Sequence, residues 1–174
     1  MKALIIAGKY SQDIEVYYPL YRMQEEGWEV DIATKGKLEV SGVYGMPIRP
    51  TCHLPPSESL LRKTMLYQVI ILTGGARALE YLRQENDLLL YLYGYHHLGG
   101  IIGSVCHGTQ LLISAGLCKG RKISGYYSIK DDIINAGGEF VDAPFVTDDR
   151  IVTSPHYKYL GPWMKEVIRL VKHL

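Results

Sequence analysis

Apolar residues gather in short runs at 2–7, 28–33, 68–73 and 99–105, with polar or glycine-rich stretches between them. Runs this short and this apolar predict strands, most of them covered on both faces. A further strand is predicted over 122–127, and FVTDDRIVTS reads as two strands around the Asp148–Asp149 turn. Between the strands the period changes to that of helices. Asp13 stands where a helix cap belongs, Ile14, Tyr17, Tyr18 and Tyr21 repeat at helical spacing, and Gly27 ends the segment. Pro19 lies inside that helix, so the carbonyl of Glu15 four residues back loses its usual donor. A glycine turn at Gly74–Gly75 opens a helix, or a broken pair, that runs to about 97. Further helices are predicted over 107–116, closed by Gly116, over a segment capped by Ser128, and over 163–172. Residues 35–57 read as loops with a hairpin around 43–48.

Strands alternating with helices predict an α/β domain, a mostly parallel sheet with helices on both faces, occupying residues 1–174 as one unit. Composition changes this picture little. Hydrophobic residues make up 47%, charged residues 21%, and the net charge is +1 without a basic stripe, which argues against a nucleic-acid partner. The N-terminal apolar run is too short for a signal peptide or a membrane span, so no membrane partner is expected and the cytoplasm is the expected location. Three cysteines without a CxxC pair fit free thiols in a reducing compartment. Fourteen tyrosines against two phenylalanines point either to a polar-tipped pocket or to a broad oligomer contact.

The candidate chemistry lies at SVCHGTQLL, residues 104–112. Cys106 falls between a predicted strand and a predicted helix, at the carboxyl end of the strand, where open parallel sheets collect functional groups. A tight strand-to-helix turn needs small residues two positions either side of its nucleophile, and Ser104 and Gly108 stand there. The helix N-terminus is expected to lower the thiol's pKa. Cys52 and Cys118 have no such setting and read as structural thiols.

The run SVCHGTQLLISAGLCKGRKISGYYSIKDDIINAGGEFVD resembles the PfpI/ThiJ family, within the class I glutamine-amidotransferase-like superfamily. KALIIA, SQDIEVYYPLYRMQEEGWEVDIA, GGARALEYLR and VDAPFVTDDRIVTS extend the likeness over nearly the whole chain. The resemblance implies a flavodoxin-like three-layer sandwich with the cysteine on a nucleophile elbow. It implies Cys106 as the reactive cysteine and Glu15 as an acid that shares a proton with it. It implies His107 as the neighbouring histidine, oriented by an acid from a second subunit, for which Glu80 is the matching position. GGARALE carries one residue more than the family's usual turn, and a solvated helix glutamate is the competing reading of Glu80. Backbone N–H groups of Gly75 and His107 would form the oxyanion hole.

Gln12, Gly74, Tyr126 and His156 are the expected substrate-side residues. The chain departs from its relatives at three of them. Many relatives carry glutamate at the position of Gln12. Gly125-Tyr126-Tyr127 stands where S-Y-P is common, and Tyr126 reads equally as a hydroxyl donor or a packed aromatic. SPHYKYL replaces S-R-x-P-x-D-L, so His156 is either an acid–base group or a surface histidine. No His-x-Glu follows Cys106, which removes the amidotransferase reading. His96–His97 are adjacent on a helix and diverge, so no metal is expected, and no cofactor.

These features predict a cysteine enzyme acting on a small carbonyl, amide or related electrophile, of glyoxalase, deglycase, hydrolase, hydratase or lyase type. Self-association as a dimer or hexamer is expected if Glu80 completes a neighbouring site. The alternatives are an oxidation sensor or stress chaperone that uses Cys106, and an intracellular cysteine peptidase.

Overall fold

A computed structural model describes residues 1–54 and 66–173. In chain order the elements are β1 (Lys2–Ile6), α1 (Asp13–Glu25), β2 (Glu29–Thr34), β3 (Val40–Ser41), β4 (Pro47–Ile48) and β5 (Cys52–His53). Then come β6 (Val69–Leu72), α2 (Ala76–Leu82), α3 (Asn86–His97), β7 (Ile101–Val105) and α4 (Thr109–Ser114). The chain closes with β8 (Lys122–Ile123), α5 (Lys130–Asn135), β9 (Glu139–Phe140), β10 (Val146–Asp148), β11 (Ile151–Ser154) and α6 (Leu160–Lys172).

Among the described residues seven strands form the main sheet in the order β10-β11-β7-β6-β1-β2-β5, all parallel except the β10–β11 hairpin. Side chains alternate across it. Leu4, Ile6, Ile70, Leu72 and Ile102 face a core shared with α2 to α5. Ala3, Ile5, Val69, Ile71 and Val105 face the other, against α1 and α6. Both faces are covered, which is why the strands read as unbroken apolar runs. Trp163 of α6 is wholly buried and donates its indole N–H to the carbonyl of Val152 at 3.0 Å, so burial leaves no polar atom orphaned. This is the parallel, doubly covered sheet that the sequence pattern predicts and the flavodoxin-like three-layer arrangement that the resemblance implies.

Several local expectations need correction. Asp13 begins α1 rather than capping it. Its carboxylate accepts the N–H groups of Tyr44 and Met46 at 2.8 and 3.0 Å, because that loop offers two donors that helix capping would leave unpaired. The buried face of α1 carries Glu15, Val16, Pro19 and Met23, whereas Ile14 and Tyr21 are exposed. The hairpin begins earlier than predicted, β3 pairing with β4. The strand expected over 122–127 stops at Ile123, where β8 pairs with β9 in a small separate sheet. Of the two readings of the segment after the glycine turn, a helix or a broken pair, the broken pair is the one found, as α2 and α3. Ser128 lies within a 3-10 turn, Tyr127–Ile129, that precedes α5, and caps nothing. Residues 55–57 of the predicted loop region lie outside the described residues. Among the described residues no helix is long and apolar enough to cross a membrane.

Candidate active site

β7 ends at Val105, and Cys106 turns the chain into a 3-10 turn, Cys106–Gly108, that runs on into α4. Cys106 does this with φ 59, in the left-handed region that L residues avoid at about 1–2 kcal/mol. The neighbours explain why the turn is tolerated. A Cβ on Gly108 would lie 2.4 Å from the carbonyl oxygen of Leu72, so only glycine fits against β6. Ser104 is buried and its hydroxyl meets that of Thr109 at 3.2 Å, tying strand to helix across the turn.

Glu15 arrives from the buried face of α1 with no exposure to solvent. Its Oε2 accepts the N–H of Gly74 at 2.7 Å. A Cβ on Gly74 would stand 2.5 Å from that oxygen, 2.7 Å from Cys106 Cβ and 3.1 Å from the His107 nitrogen. Acid, nucleophile and backbone donor therefore meet across the space a side chain would fill. Burial raises the Glu15 carboxyl to about 7, against the smaller opposing pull of the Gly74 and Cys106 hydrogen bonds.

The thiol differs from the expectation for a helix N-terminus. Burial, and then the Glu15 charge, hold Cys106 well above the ordinary thiol range. The N–H groups of His107 and Gly75 pull it down, as the sequence argument requires, but desolvation of a cysteine only 7% exposed is the larger effect. The two acids are one coupled pair. When Glu15 holds its proton, the carboxylate charge that opposes the thiolate is gone.

His107 sets its Nδ1 3.4 Å from the Cys106 sulfur and its Nε2 3.4 Å from the hydroxyl of Ser128. Its ring stacks on Tyr126 at 4.5 Å, Tyr126 stacks on His156 at 6.0 Å, and His156 lies 4.1 Å from Tyr157. The structure thus brings Tyr126 and His156 into one aromatic row with His107. His156 Nδ1 accepts the N–H of Lys158 at 3.2 Å, which leaves the ring proton on Nε2. Burial lowers the pKa of both histidines, so both are neutral at pH 7.

Gln12 precedes α1, and its backbone N–H bonds the Gly74 carbonyl at 3.1 Å. Its side-chain Oε1 is buried without a partner. Beside Gln12 opens a cleft of about 380 Å³, walled by Ile14, Tyr17, Tyr44, Met46 and Tyr157. Gly75, with φ 101, packs so closely that a Cβ would lie 2.2 Å from the Tyr10 carbonyl oxygen. Glu80 is not brought to the site within one chain. It is exposed on α2, the residue before it, Leu79, is wholly buried, and the His107 nitrogens go to Cys106 and Ser128. Ser128 is the residue that sequence reasoning missed, since its place before KDDIIN signals a helix cap. Among the described residues no group of three or more His, Cys, Asp or Glu is arranged to hold a metal ion.

A family model described as the DJ-1/PfpI family matches residues 1–170. The chain is 35% identical over 175 residues to a protein named Deglycase TK1284 from Thermococcus kodakarensis, covering 99% of this chain and 100% of that one. It is equally similar, at 35% over 175 residues with the same coverage, to a protein named Deglycase PfpI from Pyrococcus furiosus. The solved structure of Schizosaccharomyces pombe DJ-1 superposes with a TM-score of 0.88 over 98% of this chain and 92% of that one. At 16% identity that likeness speaks to the fold alone.

Proposed function

Because the chain belongs to the DJ-1/PfpI family, we propose that it is a cysteine-dependent enzyme of deglycase type, acting on aldehyde-derived adducts of small amines or thiols. One observation supports this most: a strained Cys106 whose sulfur meets a buried acid, a histidine ring and two backbone N–H donors at once. In this reading the Cys106 thiolate adds to the electrophilic carbon of the adduct. The S–C bond forms at the carbon that carries nitrogen as the C–N pair leaves on the amine, which takes a proton. The hemithioacetal left on sulfur rearranges by proton transfer to a thioester, its oxygen held by the N–H groups of Gly75 and His107. Water hydrolyses the thioester to a 2-hydroxy acid and the free thiol. Neutral His107 takes the thiol proton at Nδ1, and Ser128 keeps the ring in register through Nε2. Glu15, whose carboxyl is raised by burial to about 7, supplies or accepts the second proton. Tyr126 and His156 bind the reacting fragment, Gly74 leaves it room, and the cleft beside Gln12 takes the rest of the molecule. A role for Glu80 of the partner subunit rests on self-association, and sedimentation as a monomer at assay concentration removes it.

The test follows release of free N-acetyl-lysine from its methylglyoxal adduct, with free methylglyoxal and a fluorogenic peptide amide run alongside. Release by the wild type and none by Cys106→Ser supports the proposal. Adduct lost no faster than free methylglyoxal is consumed reassigns the chain to aldehyde removal, and cleavage of the peptide alone reassigns it to peptidase chemistry. Peroxide oxidation of Cys106 with no turnover of any of the three leaves the sensor reading.

A further inference from the structure

A second cleft, of about 480 Å³, opens beyond the carboxyl ends of β1 and β2 and shares no lining residue with the surroundings of Cys106. That size lies within the range of small-molecule sites, and that end of an open parallel sheet is where ligands bind. Its charge is lopsided. Lys9, Lys35 and Arg77 line it against a single acid, Glu85, which Lys35 already pairs at 2.6 Å. Among the described residues Lys9 and Arg77 have no carboxylate partner.

The two free cations are held in place by Tyr10. The Arg77 guanidinium lies 4.0 Å over the Tyr10 ring and Lys9 Nζ lies 5.2 Å from it. A guanidinium stacked by its face keeps its in-plane N–H donors free for a two-oxygen acceptor. Tyr10 itself has φ 68, and its N–H is fixed to the Ser41 carbonyl at 2.8 Å. A non-glycine residue persists there only when its surroundings over-determine it, and such residues cluster at active sites, ligand clamps and switch regions. The remaining wall is apolar, with Tyr81 57% and Leu38 66% exposed to the cleft mouth and solvent.

We propose that this cleft binds a small aromatic anion, with the acidic group on Arg77 and Lys9 and the ring against Tyr81 and Leu38. Within one chain the site is separate from the cysteine centre, and its occupation does not depend on what that centre catalyses.

Calorimetric titration with phenyl phosphate, inorganic phosphate and phenol tests the assignment on the full chain. Phenyl phosphate should bind saturably at one molecule per chain, and Arg77→Gln or Tyr81→Ala should each weaken it about tenfold. Both side chains are on the surface, and an unchanged melting temperature shows that the variants fold. Inorganic phosphate and phenol should each bind at least about tenfold more weakly, and Cys106→Ser should leave phenyl phosphate binding intact. Absence of saturable binding, binding undiminished by Arg77→Gln, phosphate as tight as phenyl phosphate, or loss of binding in Cys106→Ser each overturns the proposal.

Discussion

Glu15 and Gly74 are joined by a 2.7 Å bond from a backbone N–H to a carboxyl with no solvent access. That bond ties α1 to the turn after β6 and makes the acid part of the fold as well as of the site. Its titration therefore belongs to stability. The carboxyl stands at about 7 in the fold against an ordinary 4.5. A group raised in this way adds stability that is complete below the unfolded value and is lost as pH rises through the folded one. The separation corresponds to roughly 3 kcal/mol. In a Cys106→Ser background, Glu15→Gln should gain about that much relative to its parent between pH 5 and pH 8. Urea denaturation at both pH values measures it, and equal differences at both would show that the buried carboxyl does not titrate between them.

The left-handed backbone at Cys106 predicts an inverted preference among inert substitutions. Glycine enters that region freely, while alanine bears the steric cost. Cys106→Gly should be as stable as Cys106→Ala or more so, by up to about 1 kcal/mol once glycine's greater unfolded entropy is subtracted. Thermal denaturation of the pair decides it, and a clear advantage for alanine would mean that the elbow relaxes when the sulfur is gone.

Gly108→Ala should destabilise by about 2–3 kcal/mol, because the added carbon would lie 2.4 Å from a backbone oxygen of the central strand β6, which cannot retreat. Gly74→Ala meets a carboxyl oxygen and a thiol carbon instead, at 2.5 and 2.7 Å. It should fold, with some loss of stability, but show almost no turnover. Denaturation midpoints and steady-state rates on the same preparations separate the two effects.

Ser128→Ala should lower kcat about fivefold with KM unchanged, the effect of roughly 1 kcal/mol from one hydrogen bond. Ser128→Thr should restore most of the rate. If KM changes instead, the hydroxyl touches substrate rather than holding His107.

The layered sheet was legible in the sequence because both faces are covered, and strands of that kind need no alternation to be recognised. The elbow was legible because small residues at 104 and 108 are a local demand of the turn. The orientation of α1 was not. Ile14, Tyr17, Tyr18 and Tyr21 fall on one face of a helix and Glu15, Val16, Pro19 and Met23 on another, so periodicity finds two faces and cannot choose between them. The buried one carries a carboxyl, and only the Gly74 donor, distant in sequence, makes that burial tolerable. Asp13 and Ser128 were misread for the same reason. Both have the chemistry of helix caps, and both are taken by partners far along the chain. The height of the thiol pKa was also hidden, since desolvation depends on packing that no local motif reports.

The nucleophile and its donors are fixed by β6, β7 and the glycines between sheet and helices, while the aromatic row comes from two separate 3-10 turns, Tyr127–Ile129 and Tyr157–Tyr159, and the residues that lead into them. The Tyr127–Ile129 turn also carries Ser128, which holds His107, whereas the Tyr157–Tyr159 turn carries only the far end of the row. Swapping the Tyr157–Tyr159 turn for a relative's counterpart alters which molecules are admitted without rebuilding the reacting centre, which makes this scaffold suited to retargeting by loop exchange.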